Sequence, residues 1–468
     1  MNAELNNPKT IRAWTFYDWA NSVFSLTIAT AIFPPYYEAV SKAASISQGN
    51  APDGPFYLDI LGLKVVNTAL YSYALSLGFL LVAFFSPVLS GIADARKNKK
   101  TFMRFFAYLG SLSCLLMFFM TPETVYFGIL LFVLSLFGFG GSIVFYNAFL
   151  PEIVTEDRYD EVSARGFSMG YIGSVLLLII NLALIIKADF FFPIENLAKE
   201  YELAGLDATL ALEKAKSYYE TLAIRLSFVS VGVWWAGFAQ ITFSNLYEDK
   251  SLALKGDDSL IHKGFREIKK VLQEIRKPEQ AKIRNYLLGY FFASMGVQTV
   301  MYVASLFGSQ ELKMATDELI LTILIIQLIA IAGAWAFSKL SGKIGNIYTL
   351  LIMLVVWIGI TIAAYFVNTS NQFYALAVVV GIVMGGIQSM FRSTYAKLIP
   401  DHTTETASWF SFFDFCEKMA IVLGTLIYGL LIDATQSMRS SVLALMLFFL
   451  VGLFFISRIK NFIGQSSD

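Results

Sequence analysis

The sequence predicts an all-α membrane protein of twelve transmembrane helices in two six-helix pseudo-repeats, and three observations predict it. Hydrophobic residues make up 56% of the 468 and charged residues 15%, unlike the composition of a soluble domain. The apolar residues gather into about twelve unbroken runs, each long enough to cross a bilayer as a helix and too continuous for barrel strands. Two short motifs recur at a separation of roughly 248 residues, as in a duplicated six-helix unit. Formal net charge is zero, so no basic footprint points to nucleic acid.

Taken in order, the N-terminal stretch "MNAELNNPKTIRAW" is polar and meets the first apolar run without a small-residue cleavage site, so that run is expected to stay as a span. Six spans are predicted at about 13–36, 65–89, 102–120, 124–149, 166–187 and 222–244. Six more follow at about 284–307, 318–340, 347–367, 372–396, 406–431 and 440–458. This divides the chain into an N-terminal bundle (1–244), a linker (245–283) and a C-terminal bundle (284–468). Residues 188–221 read as an extramembrane helical loop. In the linker, Ile261, Phe265, Ile268, Leu272 and Ile275 alternate spacings of four and three opposite a Lys/Arg-rich face. That pattern fits a helix lying on the membrane surface or under the bundle, where it tethers the halves. Placing both termini in the cytoplasm puts roughly 25 of the 35 Lys and Arg on the inner side, as the positive-inside rule requires. Cys114 and Cys416 lie inside apolar runs without metal-ligand spacing and read as buried thiols.

The repeat rests on two pairs of matches. "SGIADARKN" after the second span, with Ser90, Ile92 and Asp94, answers "SKLSGKIGN" after the eighth, with Ser338, Leu340 and Gly342. "YNAFLPE" (Tyr146 to Glu152) closes the fourth span, and "YAKLIPD" (Tyr395 to Asp401) closes the tenth.

Ionisable residues inside the spans are few, and each is costly unless paired or hydrated. Asp18 lies six residues past Arg12, roughly 9 Å beyond the membrane entry. It reads either as an ion pair or cap among Trp14, Tyr17 and Trp19, or as a gating or coupling charge. In the eleventh span Asp414, Glu417 and Lys418 share one helix face. Asp414 and Lys418, at i and i+4, are expected to pair. Glu417 is then left as the less compensated carboxylate and the candidate proton carrier, the competing reading being a fixed cluster that holds helices together. Arg392 is expected to reach Asp414 or Asp18 and form an inside gate. Glu152 and Arg165 flank the loop between spans four and five as an expected surface pair. Asn21, Asn147, Gln298 and Gln388 come from spans one, four, seven and ten; as a set they suit a cavity for a polar or zwitterionic solute. The glycines Gly138, Gly140, Gly141, Gly166, Gly170 and Gly173 read as helix-packing positions. HExxH, GxSxG, Walker and metal-cluster patterns are absent from the sequence, and His262 and His402 fall outside the spans, so neither an enzyme, an ATP-driven pump nor a cofactor is expected.

"SGIADARKNKK" (Ser90 to Lys100) resembles the Gly-x-x-x-Asp-Arg-x-Gly-Arg-Lys loop of the major facilitator superfamily, with Ser90 for its first Gly and Ala95 where Arg is usual. The resemblance implies a gating role for Asp94, with Arg96 and the following lysines taking the basic part. More specifically, the motifs "YDWANS" (Tyr17 to Ser22), "FYNAFLPEI" (Phe145 to Ile153), "SARGFSMGYIGS" (Ser163 to Ser174) and "GVQT" (Gly296 to Thr299) are similar to the "unidentified major facilitator" family. So are "GGIQSMFRSTYAKLIP" (Gly385 to Pro400) and "FFDFCEK" (Phe412 to Lys418). That family is related to fungal autophagy-linked vacuolar effluxers of amino acids. The resemblance implies a secondary transporter; together with the Glu417 reading, a monomer of the bacterial cytoplasmic membrane is expected, working by alternating access with protons as the coupling ion. Its implied cargo is amino acids, with drugs, sugars or organic acids as the alternative; a non-transporting sensor is disfavoured by the lack of a signalling domain.

Overall fold

The computed structural model describes residues 5–50, 56–60, 62–96, 98–247, 260–314, 316–400, 406–435 and 437–460. The chain enters as α1 (Pro8–Val23), capped by Asn7, whose side chain accepts from the amides of Lys9 and Thr10. It continues without interruption through π-helical turns at Phe24–Ile32 into α2 (Phe33–Ser47). Pro34 and Pro35 follow those turns directly. Neither can donate to a carbonyl one turn back, so the helix re-registers to reach them. A hairpin of β1 (Tyr57–Ile60) and β2 (Leu63–Val66) pairs Tyr57 with Val66 and leads into α3 (Asn67–Arg96).

The rest of the first bundle is α4 (Lys99–Leu116), α5 (Val125–Ala148), a short α6 (Leu150–Ile153), α7 (Tyr159–Ile186), α8 (Ala188–Phe191), α9 (Ile194–Leu203) and α10 (Ala208–Asn245). The linker helix α11 (Leu260–Arg276) follows, buries Val271 and Ile275, and packs against α3, α12 and α16. The second bundle comprises α12 (Ala281–Glu311), α13 (Thr316–Ile344), α14 (Asn346–Phe366), α15 (Ser370–Leu398), α16 (Thr406–Thr435), α17 (Met438–Ala444) and α18 (Met446–Ser457).

Among the described residues, ten helices are long and apolar enough to cross a membrane. The first and eleventh expected spans fall outside that set for visible reasons: π-helical turns divide one, and the other carries Asp414, Glu417 and Lys418. Several boundaries differ from the sequence reading. The second span starts after the hairpin and runs to Arg96, the fifth starts at Tyr159, and the twelfth breaks at Leu445 into α17 and α18. Residues 188–221 are helical as expected, but their third helix is continuous with the sixth span in one 38-residue α10.

Among the described residues the bundles meet chiefly where α3 and α5 lie along α16 and where α7 runs between α13 and α15. Small residues set these distances. A Cβ on Gly385 would stand 2.0 Å from the Ala330 carbonyl oxygen, fixing how closely α15 meets α13, and Gly138 and Gly110 hold α5 and α4 together likewise. Outward faces are apolar, as at Phe84, Val355 and Phe366, because they meet lipid rather than water.

Candidate functional site

Between the bundles lies a cavity of about 1350 Å³. The π-helical turns put Ser25, Leu26, Ala29 and Thr30 on its wall, and it reaches the end of the molecule where Glu38, Asn67, Phe307 and Val442 line it. The opposite end, where the basic loop after α3 lies, is bridged by polar contacts between bundles.

The floor of the cavity is built around Arg392. Its Nη1 lies 3.2 Å from Asp18 Oδ2 and donates at 3.4 Å to Asn147 Oδ1; Nε donates to Ser163 Oγ (2.8 Å) and Nη2 to the Ser163 carbonyl (2.7 Å). Tyr146 donates to the same Asp18 oxygen at 2.7 Å. Three rings enclose the guanidinium, with Phe167, Trp14 and Tyr146 centroids at 4.2, 4.9 and 5.4 Å. Trp14 stacks on Tyr146 and donates its indole N–H to the Tyr146 carbonyl, so the rings are themselves fixed. Arg392 and its partners are buried, which makes this a desolvated charge pair with each guanidinium nitrogen bonded to an acceptor. Of the two partners expected for Arg392, it meets Asp18 and not Asp414. Asp18 is thus both an ion-pair member and a residue of the cavity floor.

Towards the basic end two more clusters cross the interface. Asp160 accepts from Lys397 (2.9 Å), Ser341 (2.7 Å) and Asn346 (2.9 Å), joining α7 to α13, α14 and α15. Lys99 is paired with Glu152 and donates to Thr406 at 2.6 Å, joining α4 and α6 to α16. Glu152 therefore does not pair with Arg165, as the sequence had suggested; Arg165 stands exposed, while the start of α4 brings Lys99 within reach. Asp94 and Arg96 lie in the last turn of α3, and their side chains are outside the described residues, as are Asp401 and His402.

The four amides line the cavity. Gln388 accepts from Tyr171 at 2.8 Å across the interface, and Gln298 donates to Glu417 at 3.0 Å. Asn21 is buried with its amide nitrogen unpartnered. On α16, Lys418 lies 2.8 Å from Glu417 and 3.3 Å from Asp414. The Asp414–Lys418 pair forms as expected, but Lys418 also reaches Glu417, so Glu417 is not the less compensated carboxylate. Glu417 turns to the cavity and receives Lys418 and Gln298, whereas Asp414 points inward, with neither carboxylate oxygen accepting a hydrogen bond. The glycines pack helices as expected, and Gly166 does more: a Cβ there would meet Asp18 Oδ2 at 2.5 Å and Arg392 Nη2 at 2.9 Å.

Sequence reasoning missed Asp160, Lys397, Asn346, Lys99 and Thr406 as interface residues. The repeat held the signal, since Lys99 and Asn346 open the helices after the two matching loops.

The arrangement, a central cavity between two bundles and a bridged end, is that of an alternating-access transporter. Comparison with known proteins agrees. The fold matches the outward-conformation structure of the major facilitator transporter FucP, with a TM-score of 0.68 at 13% identity over 98% of this chain and 99% of that one. The chain is 28% identical to the uncharacterized MFS-type transporter YxiO of Bacillus subtilis (strain 168), covering 95% of this chain and 93% of its relative. It is 26% identical to autophagy-related protein 22 of Yarrowia lipolytica (strain CLIB 122 / E 150), over 85% of this chain and 77% of that protein. The family model described as "Vacuole effluxer Atg22 like" matches residues 6–464. The chain is therefore a membrane transporter and not an enzyme, and it belongs to the Atg22-like effluxer family within the major facilitator fold.

Proposed function

We propose that this transporter exports amino acids, or small solutes of the same zwitterionic class, in exchange for protons. The carrying observation is that the cavity offers charges of both signs beside neutral amides: Glu417 and Lys418 on its wall, Asp18 and Arg392 at its floor. A solute bearing an ammonium and a carboxylate finds a partner for each, while a neutral sugar would leave these charges unmet. Proton coupling is supported by the same residues, since a carboxylate in a cavity bounded by lipid-facing helices is where a proton can be exchanged for another cation. In this reading the chain works as a monomer in a bacterial cytoplasmic membrane, with its basic end and both termini in the cytoplasm. The cavity then faces the exterior, and the Arg392–Asp18, Lys397–Asp160 and Lys99–Thr406 contacts close the cytoplasmic side.

Counterflow into proteoliposomes tests the cargo. Vesicles loaded with a pool of unlabelled amino acids are expected to accumulate at least one labelled amino acid from outside. Asp18→Asn is expected to reduce that accumulation about tenfold or more, by freeing the floor arginine. Silence from well-folded protein across all amino acids would remove amino acids as cargo.

A further inference from the structure

Two carboxylates of α16, Glu417 on the cavity wall and Asp414 buried behind it, share one lysine. Lys418 Nζ is 2.8 Å from Glu417 Oε2 and 3.3 Å from Asp414 Oδ1. Glu417 has both oxygens occupied, one by Lys418 and one by Gln298, and a quarter of its side chain is exposed to the cavity. Asp414 has a side chain 2% exposed, and neither of its buried oxygens accepts a hydrogen bond.

Among the described residues, the neighbouring helices place no second cation beside the triad. From α12 come Tyr290 and Tyr302, from α3 the ring of Phe79 at 5.8 Å from Lys418 Nζ, and α5 carries no charged residue. Arg439 of α17 is committed to Glu311 at 3.0 Å, and Cys416 is the other titratable group beside Asp414 on α16 itself. The linker helix α11 meets α16 from the basic end, where Thr406 begins it. Among the described residues, one positive charge therefore faces two negative ones, in a setting where unbalanced charge is costly.

We infer that the Asp414–Glu417–Lys418 triad is the subsite for a primary ammonium group, and that this ammonium and a proton compete for its one uncompensated negative charge. An ammonium arriving at the cavity-facing Glu417 lets Lys418 turn wholly to Asp414, so that two cations meet two carboxylates. A proton from cavity water does the same by forming an O–H bond on an Asp414 oxygen, leaving Lys418 to Glu417. Both ligands together would overcharge the site by one. Each therefore excludes the other, and one solute is exchanged for one proton. The inference rests on the amino-acid reading above and names which atoms make the exchange obligatory.

The test is counterflow by the full chain in proteoliposomes, with a labelled mixture of amino acids and equal pH on both sides. Below the pH at which the triad takes its proton, competition raises the half-saturating concentration about tenfold per pH unit. N-acetylated amino acids, which lack the ammonium, are expected not to compete for uptake. Asp414→Asn removes the uncompensated charge, so it should weaken uptake at least tenfold and flatten the pH dependence. Glu417→Gln, at the exposed cavity wall, makes the same charge change should the buried variant fail to fold. A pH-indicator dye should also report proton release when the amino-acid pool is added to the purified protein. Counterflow with a half-saturation unchanged from pH 6 to pH 8, or equal competition by N-acetylated amino acids, overturns this inference and leaves amino-acid transport standing. Absence of counterflow for every label at every pH overturns the amino-acid reading and the inference with it.

Discussion

Arg392 shows how completely one side chain can be held in a single conformation of the molecule. Its guanidinium is held by Asp18, Asn147 and both oxygens of Ser163, and three rings close over it. Removing one partner of such a pair strands the other charge in an apolar interior. Asp18→Asn and Arg392→Gln are each expected to lower stability by about 3–5 kcal/mol, and the double variant to recover most of that loss. Thermal unfolding of the purified protein in detergent reads both outcomes. At this scale the sequence was partly legible. Spacing and charge singled out Asp18, Arg392, Asp414, Glu417 and Lys418, since a charge inside an apolar run stands out. Which charge meets which was not legible: the i,i+4 spacing of Asp414 and Lys418 ignores the flexible lysine stem, which places Nζ nearer to Glu417.

Helices were the most legible elements, because a bilayer demands about twenty consecutive apolar residues and this chain supplies them repeatedly. The elements missed lack such a demand. The π-helical turns at Phe24–Ile32 change hydrogen-bond register without changing hydropathy, and the hairpin at Tyr57–Val66 lies outside the spans. At this scale Gly166 makes a sharp prediction. It lets α7 approach α1 closely enough for Ser163 and Asp18 to share Arg392. Gly166→Ala should therefore separate these helices and weaken the floor pairing, cutting counterflow about tenfold while the protein still folds. Gly359→Ala, where nothing lies within 4 Å of the added methyl, is the control and should be tolerated. Both are checked by transport rate beside a melting curve.

Across the whole molecule two polar clusters tie the bundles together at the basic end. The charges are distributed unequally. In one cluster the ion pair, Lys397 with Asp160, crosses between bundles; in the other, Lys99 with Glu152, it stays within the first bundle and only Thr406 reaches over. Lys397→Ala is accordingly expected to loosen the basic end by about 1–3 kcal/mol, a fivefold or greater shift in population, and Lys99→Ala to do less. Spin labels at the exposed positions Glu161 and Lys343 would register this as a growing long-distance component. Exchanging the charges, with Asp160→Lys beside Lys397→Asp, should restore the short one. The 38 residues of α10 span ~57 Å, nearly twice a bilayer's hydrocarbon thickness. Its outer part is braced by α9 through Ile194, Ala198 and Ala215 and by the stacked rings of Phe192 and Tyr219. The sixth helix is thus a mast stepped in the first bundle, and a dye at its head near Gly205 would turn each rocking cycle into a displacement visible from outside the membrane.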